Sequence, residues 1–224
     1  MKRTTIRTTA STTFLATAAV LLTACASDTD GDTPPSEPAA VAQAVLEPGE
    51  ANPMIAQGVT ISSGASVYKS SGLGPSASNA SAPKGTPESY IDSQFSEGAL
   101  PEGVTVTEAQ GINALENIRA NLEVQGLTLG DVTTMRVFLD NEPGTDRADY
   151  AGWNRAYRQF FANTNLETGD TELVPLGTAE PAAPLERNAA RPSRFALEVG
   201  SLPVAGWLVE IEVDAVYPSD EAAG

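Results

Sequence analysis

The stretch Arg191–Pro218, RPSRFALEVGSLPVAGWLVEIEVDAVYP, decides how this chain is read. It reads as two strands joined by a short Leu202-Pro203 turn. Along the first, Arg194, Ala196 and Glu198 alternate with Phe195, Leu197 and Val199. Along the second, Trp207, Val209, Ile211, Val213 and Ala215 alternate with Leu208, Glu210, Glu212 and Asp214. Period-two alternation sends each set to one face of a sheet. A guanidinium and a row of carboxylates are thus expected together on the polar side of neighbouring strands. Two readings are open: a solvated sheet face, or a site that holds an anion with Arg194 and works on it with Glu210.

Outward from that stretch, composition sets limits. The chain has 224 residues, with 29 acidic and 13 basic side chains and a net charge of −16. Such a surface repels phosphate backbones and anionic lipid, so nucleic acid is excluded as an expected partner. The chain has no histidine and one cysteine. Histidine triads, Cys-His pairs, His-ligated metals and intrachain disulfides are therefore ruled out. Acid–base chemistry falls to Asp, Glu, Tyr, Lys or a bound water, with no metal and no cofactor expected.

Residues 1–24 open with MKRTTIR and continue into the apolar run FLATAAVLLTA. This is a secretory leader by length and placement. Leu22-Thr23-Ala24-Cys25 resembles a bacterial lipobox, which implies lipidation of Cys25 and an anchor that holds without spanning. The expected location is the periplasmic face of the outer membrane in a Gram-negative cell. Residues 25–52 have the Pro, Asp, Ser, Thr and Ala content of a tether, in which only AVAQAVL has the character to dock on a domain. The domain is expected over 53–218, with a tail at 219–224.

Within it, strands are expected at Met54–Ile61 and Gly64–Ser70, then a long irregular segment over 73–106. Thr107, with Gln110 at capping-box spacing, opens a helix whose Ile112, Leu115, Ile118 and Leu122 form one stripe and which Gly126 ends. A strand follows at Val132–Asp140. A second helix covers Asp146–Asn163, its Tyr150, Trp153, Tyr157, Phe160 and Phe161 recurring as a core stripe. Another long connection, 164–190, leads to the closing strands. This order suits an α+β layer with two helices on one face of a mostly antiparallel sheet.

Ser71-Gly72, GLTLGDV at 126–132, WNRAYRQFF, and R-x-x-x-E-V-x-x-L-P followed by E-I-E-x-x-A-V together resemble the Rid family, the reactive-intermediate (imine/enamine) deaminases also called YjgF-like proteins. The resemblance implies a chorismate-mutase-like fold and a homotrimer closing a central barrel, with sites in the clefts between subunits. It further implies that Arg194 grips a substrate carboxylate and Glu210 activates the attacking water. Ser71, Gly72 and Asn154 would line the ligand. The implied reaction is hydrolytic deamination of 2-imino or enamino acids, with a small-carboxylate-binding lipoprotein as the alternative use of the cleft. A partner-binding module carried by the two long loops is a third use. The chain departs from one branch of the family in having Ile55 in place of a tyrosine and Phe195-Ala196 in place of Ser-Cys.

Overall fold

The computed structural model describes residues 41–95 and 99–218. The leader, Cys25, most of the tether and the tail 219–224 lie outside the described residues. The elements run β1 Ala42–Val45, β2 Gly58–Ile61, β3 Val67–Lys69, α1 Val106–Val124, β4 Val132–Leu139, α2 Tyr150–Arg158, β5 Ser193–Glu198 and β6 Val209–Val216. They form an α+β fold with a two-stranded sheet, β1-β2, and a four-stranded sheet in the order β3-β6-β4-β5.

Ordered structure starts earlier than the expected boundary near Pro53. The AQAV segment of the supposed tether supplies β1, antiparallel to β2 with Ala44 opposite Val59. The pairing satisfies backbone groups along β2 that would otherwise be left on an edge. The strand expected from Met54 begins only at Gly58, and the second shortens to Val67–Lys69.

The closing strands hold the larger correction. β5 and β6 are not neighbours. β4 lies between them, antiparallel to β6 and parallel to β5. The Leu202-Pro203 pair is part of a longer connection over the end of β4, where Val199 N–H bonds Leu139 O and Asp140 N–H bonds Leu208 O. A two-residue hairpin needs left-handed backbone in its turn, which Leu-Pro does not offer. The left-handed residue is Gly206, with φ +91°, where a Cβ would come within 2.8 Å of the Gly85 and Thr86 carbonyl oxygens.

The strands bury one face. Met135, Val137 and Leu139 of β4 and Val209, Ile211, Val213 and Ala215 of β6 are all fully buried. Against them pack the expected α1 stripe, Ile112, Leu115, Ile118 and Leu122, and the aromatic stripe Trp153, Tyr157, Phe160 and Phe161, all likewise without exposure. Both helices start differently from expectation. α1 is capped by Thr105, whose side chain accepts from Glu108 N–H at 3.1 Å. Thr105 has an acid three residues on, so the capping spacing was present two residues before Thr107. α2 is capped by Asp149 instead of starting at Asp146, and its regular part ends at Arg158. The two caps are clasped, Thr105 Oγ1 donating to Asp149 Oδ2 at 2.6 Å. At the far end of α1, Gly126 at φ +72° and the bonds Gly126 N–H to Glu123 O and Leu127 N–H to Leu122 O close the helix as expected.

The long segments are irregular but tied down by side-chain amides. On α1, Gln110 donates to Pro87 O and Gly206 O and accepts from Leu208 N–H. Asn113 donates to Ser76 O and Tyr90 O, and Asn117 donates to Gly74 O. Asn121 accepts from Tyr68 Oη at 2.7 Å. These positions fall on one helix face, so α1 has an apolar stripe for the core and an amide stripe for the loop. Beyond α2, Asn163 donates to Arg158 O and Glu186 O and accepts from Asn188 N–H, ordering the second connection.

The helices are also joined through a buried ion pair. Glu108 is fully buried and accepts from Arg155 Nε at 2.8 Å and Nη2 at 2.7 Å, while its other oxygen accepts from Gly177 N–H at 2.9 Å. Truncating one member of such a pair leaves the other uncompensated. Glu108→Ala is expected to lower unfolding free energy by about 3 kcal/mol, read as a reduced midpoint in urea with an unchanged slope.

Candidate functional site

The parallel register of β5 on β4 sets Arg194 beside Met135 and Ala196 beside Val137. Partners in register share a face, so Arg194 points to the helix side, where Met135 is buried. There its Nη2 donates to Asn154 Oδ1 at 2.8 Å. Its Cζ lies 4.2 Å from the centre of the Tyr157 ring and 6.0 Å from that of Trp153. Its Nη1 is shut off from solvent and has no acceptor. No carboxylate pairs with Arg194 among the described residues. Burial pulls its pKa down, with the partial negative character of Tyr157 opposing.

A desolvated guanidinium without counter-ion costs free energy, and it regains it by taking an anion. Its planar fork matches the two oxygens of a carboxylate. Arg194 and Asn154 are thus brought together as the sequence suggested.

Glu210 lies elsewhere. β6 pairs Glu210 with Phe138 and Glu212 with Arg136, on the face away from the helices. The expectation that Arg194 shares this face with Glu210 and Glu212 is overturned. The two sit on opposite sides of the sheet, on strands separated by β4. Beside Glu210 runs the segment after β3. Ser70 N–H bonds Val213 O, Val213 N–H bonds Ser70 Oγ, and Leu73 and Ile211 exchange both backbone bonds. This pairing lays Gly72 under the Glu210 side chain, where a Cβ on Gly72 would sit 2.0 Å from Oε1. Glu210 has no hydrogen-bond or ion-pair partner among the described residues. Ser71 next to it is exposed. Ser71, Gly72 and Glu210 therefore form a second group.

The other carboxylates of the row are engaged in structure. Asp214 accepts from Arg136 Nη1 at 3.2 Å and Nη2 at 2.9 Å, and pairs with Lys69 at 3.0 Å. Glu212 pairs with Arg136 at 3.5 Å. The hydrogen bonds from Arg136 hold the Asp214 carboxyl below its ordinary value. Arg136 had no place in the sequence reading, although its position alternates with Met135 and Val137. A cavity of about 410 Å³ lies between the β1-β2 hairpin and the body, lined by Val41, Ala44, Val59, Val132, Leu166 and Val216 among others. None of the candidate site residues lines it.

Fold and site together give an α+β domain with a half-buried arginine on the edge strand β5 and, on the inner strand β6, a carboxylate over a glycine, neither with a charged partner among the described residues. Residues 95–217 match the model of the Endoribonuclease L-PSP family, and the chain belongs to that family. It is 31% identical over 119 residues to a 2-iminobutanoate/2-iminopropanoate deaminase from Salmonella typhimurium, spanning 53% of this chain and 66% of that protein. A protein of the same name from Escherichia coli is 29% identical over the same span. The chain thus spans a little under two thirds of the length of these curated relatives. Among solved structures, that of E. coli TdcF with bound serine is similar with 24% identity and a TM-score of 0.39, covering 78% of this chain and 99% of that one. The Rid family protein YyfB from Yersinia pestis is similar with 22% identity and a TM-score of 0.42, covering 79% and 99%.

Two outcomes are expected of variants. Gly72→Ala displaces the end of a flexible glutamate side chain without touching the core. Whatever activity depends on Glu210 is then expected to fall about as far as in Glu210→Gln, with the melting temperature nearly unchanged. For Asp214, a lowered folded pKa means stability that is present above the unfolded value near 3.8 and lost as pH falls through the folded value. The stability difference between wild type and Asp214→Asn is therefore expected to be constant near neutrality and to shrink below pH 3.8 in a urea series across pH.

Proposed function

We propose that this chain hydrolyses reactive 2-imino or enamino acids to 2-keto acids and ammonia, in clefts between the subunits of a homotrimer. The observation that carries the reading is the half-buried Arg194, whose Nη1 is shut off from solvent without an acceptor and which has no counter-ion among the described residues. Arg194, steadied by Asn154, would take the substrate carboxylate. Because Glu210, Gly72 and Ser71 lie on the other face of the same chain, they would come from the neighbouring copy. In that cleft Glu210 accepts a proton from a water whose oxygen attacks the imine carbon. Addition to the iminium form gives a neutral carbinolamine; Glu210 returns the proton to its nitrogen and then takes the hydroxyl proton as the C–N bond breaks, so that ammonia leaves as the carbonyl forms. Positioning and electrostatics supply the rate enhancement, so the missing histidine is no obstacle. The names of the curated relatives favour imines of short aliphatic amino acids as substrates. Despite the family's name, RNA cleavage is disfavoured by the −16 charge and by the lack of any histidine.

The leader and lipobox-like Leu22–Cys25 motivate a further part of the proposal, export with lipidation at Cys25 and anchoring at the periplasmic face of a Gram-negative outer membrane. That location favours one alternative, a non-catalytic binder of small carboxylates using the same cleft. Globomycin-sensitive processing and labelling with a fatty-acid analogue, both lost in Cys25→Ala, are the outcomes that support the anchor.

Activity is tested by mixing purified protein with imino acids made in situ by an amino-acid oxidase and following ammonia release. Arg194→Ala and Glu210→Gln are each expected to be inactive. Refolded together in equal amounts, they are expected to recover about a quarter of wild-type activity, because each cleft needs one intact residue from each of two copies. No recovery from intact mixed trimers would sink the intersubunit arrangement. Saturable, Arg194-dependent carboxylate binding without turnover would favour the binder.

A further inference from the structure

We propose that Tyr157 is the positioning residue of the anion cradle: its ring face holds the Arg194 guanidinium without using any N–H donor, so that those not taken by Asn154 are left for a ligand carboxylate. The proposal rests on the carboxylate-binding part of the preceding reading and is independent of turnover.

Arg194 is fixed by two contacts from α2. Asn154 takes Nη2 at 2.8 Å, and one helical turn on, the Tyr157 ring lies 4.2 Å from Cζ. The ring is itself locked. Tyr157 is fully buried, donates its hydroxyl to Met54 O at 2.8 Å, and stacks on Phe161 at 5.3 Å with an angle of 7°. Trp153 closes the side at 6.3 Å.

The choice of an aromatic ring has a chemical reason. A buried guanidinium needs compensation for lost water. A carboxylate in this place would compensate the charge but would occupy the N–H fork. A ring attracts the cation through its face and consumes no hydrogen. Nη1 accordingly remains without an acceptor. The ring also has to stay neutral, since a phenolate would act as a competing counter-ion. Burial pushes the Tyr157 hydroxyl up to about 12, which keeps it protonated at working pH.

The contact also explains why the segment before β2 matters to the cradle. The hydroxyl bond to Met54 O ties the ring to that segment as well as to α2, so the platform is held by two separate parts of the chain.

The test replaces Tyr157, in the full chain, by phenylalanine and by mono-, di- and trifluorinated phenylalanines through stop-codon suppression. These have nearly one volume and differ in the charge on the ring face. Pyruvate binding by calorimetry is the readout, with KM and kcat for imine hydrolysis beside it. Tyr157→Phe is expected to stay within about threefold of wild type, and the full fluorine series to weaken pyruvate binding by about tenfold in steps. KM is expected to rise in parallel while kcat holds. Binding that stays flat across the series, with melting temperatures preserved, overturns the proposal. So does a loss that is complete in Tyr157→Phe and unchanged by fluorine, which would assign the role to the hydroxyl tie alone. Arg194-dependent pyruvate binding that follows the series without any imine hydrolysis supports the proposal while removing the deaminase reading. Wild-type protein that binds no pyruvate removes both.

Discussion

Much of this structure depends on β4 lying between β5 and β6. The strand is bonded on both sides, antiparallel to one neighbour and parallel to the other, and its buried Met135, Val137 and Leu139 set the phase of both. Parallel pairing brings Arg194 level with Met135 and hence toward the helices. Antiparallel pairing brings Glu210 level with Phe138 and hence away from them. One central strand thereby sends the two most reactive side chains of a contiguous stretch to opposite faces. Within one copy the two are kept apart by the sheet itself.

The sequence made the parts legible and left their phase hidden. Alternation along β6 correctly separated Val209, Ile211 and Val213 from Glu210 and Glu212, because period two is a local property. It also separated Arg194 from Phe195. What alternation cannot supply is the phase of one strand relative to another when a third lies between them, and there the common polar face assumed for Arg194 and Glu210 failed. The helical stripes fared better, since Leu115 and Phe160 pack against the sheet whatever the strand order. The resemblance put Asn154 near the ligand and Arg194 on its carboxylate, and the structure brings the two side chains into hydrogen-bond contact.

The amide stripe on α1 was the least legible feature. Gln110, Asn113, Asn117 and Asn121 have the composition of a solvated helix face, and nothing in their spacing marks them as bonded to loop carbonyls. Most of their partners are backbone atoms such as the Gly74, Ser76 and Tyr90 carbonyls, which carry no side-chain signature; Asn121 instead takes the Tyr68 hydroxyl of β3. A long segment without regular structure has to find hydrogen-bond partners somewhere if it is to be ordered. Here α1 supplies them, so the loop is held by the same helix that builds the core.

The ties on the segment before β2 have a consequence for how this edge of the molecule is held. Arg191, almost fully buried, donates to Pro53 O, Asn52 Oδ1 and Thr164 O, while Tyr157 holds Met54 O and Ala56 bridges Ser193. Residues 52–56 are therefore stitched at several points to the same few residues that surround Arg194. The same few hydrogen bonds that order this strap thus also fix the ring on which the Arg194 guanidinium rests.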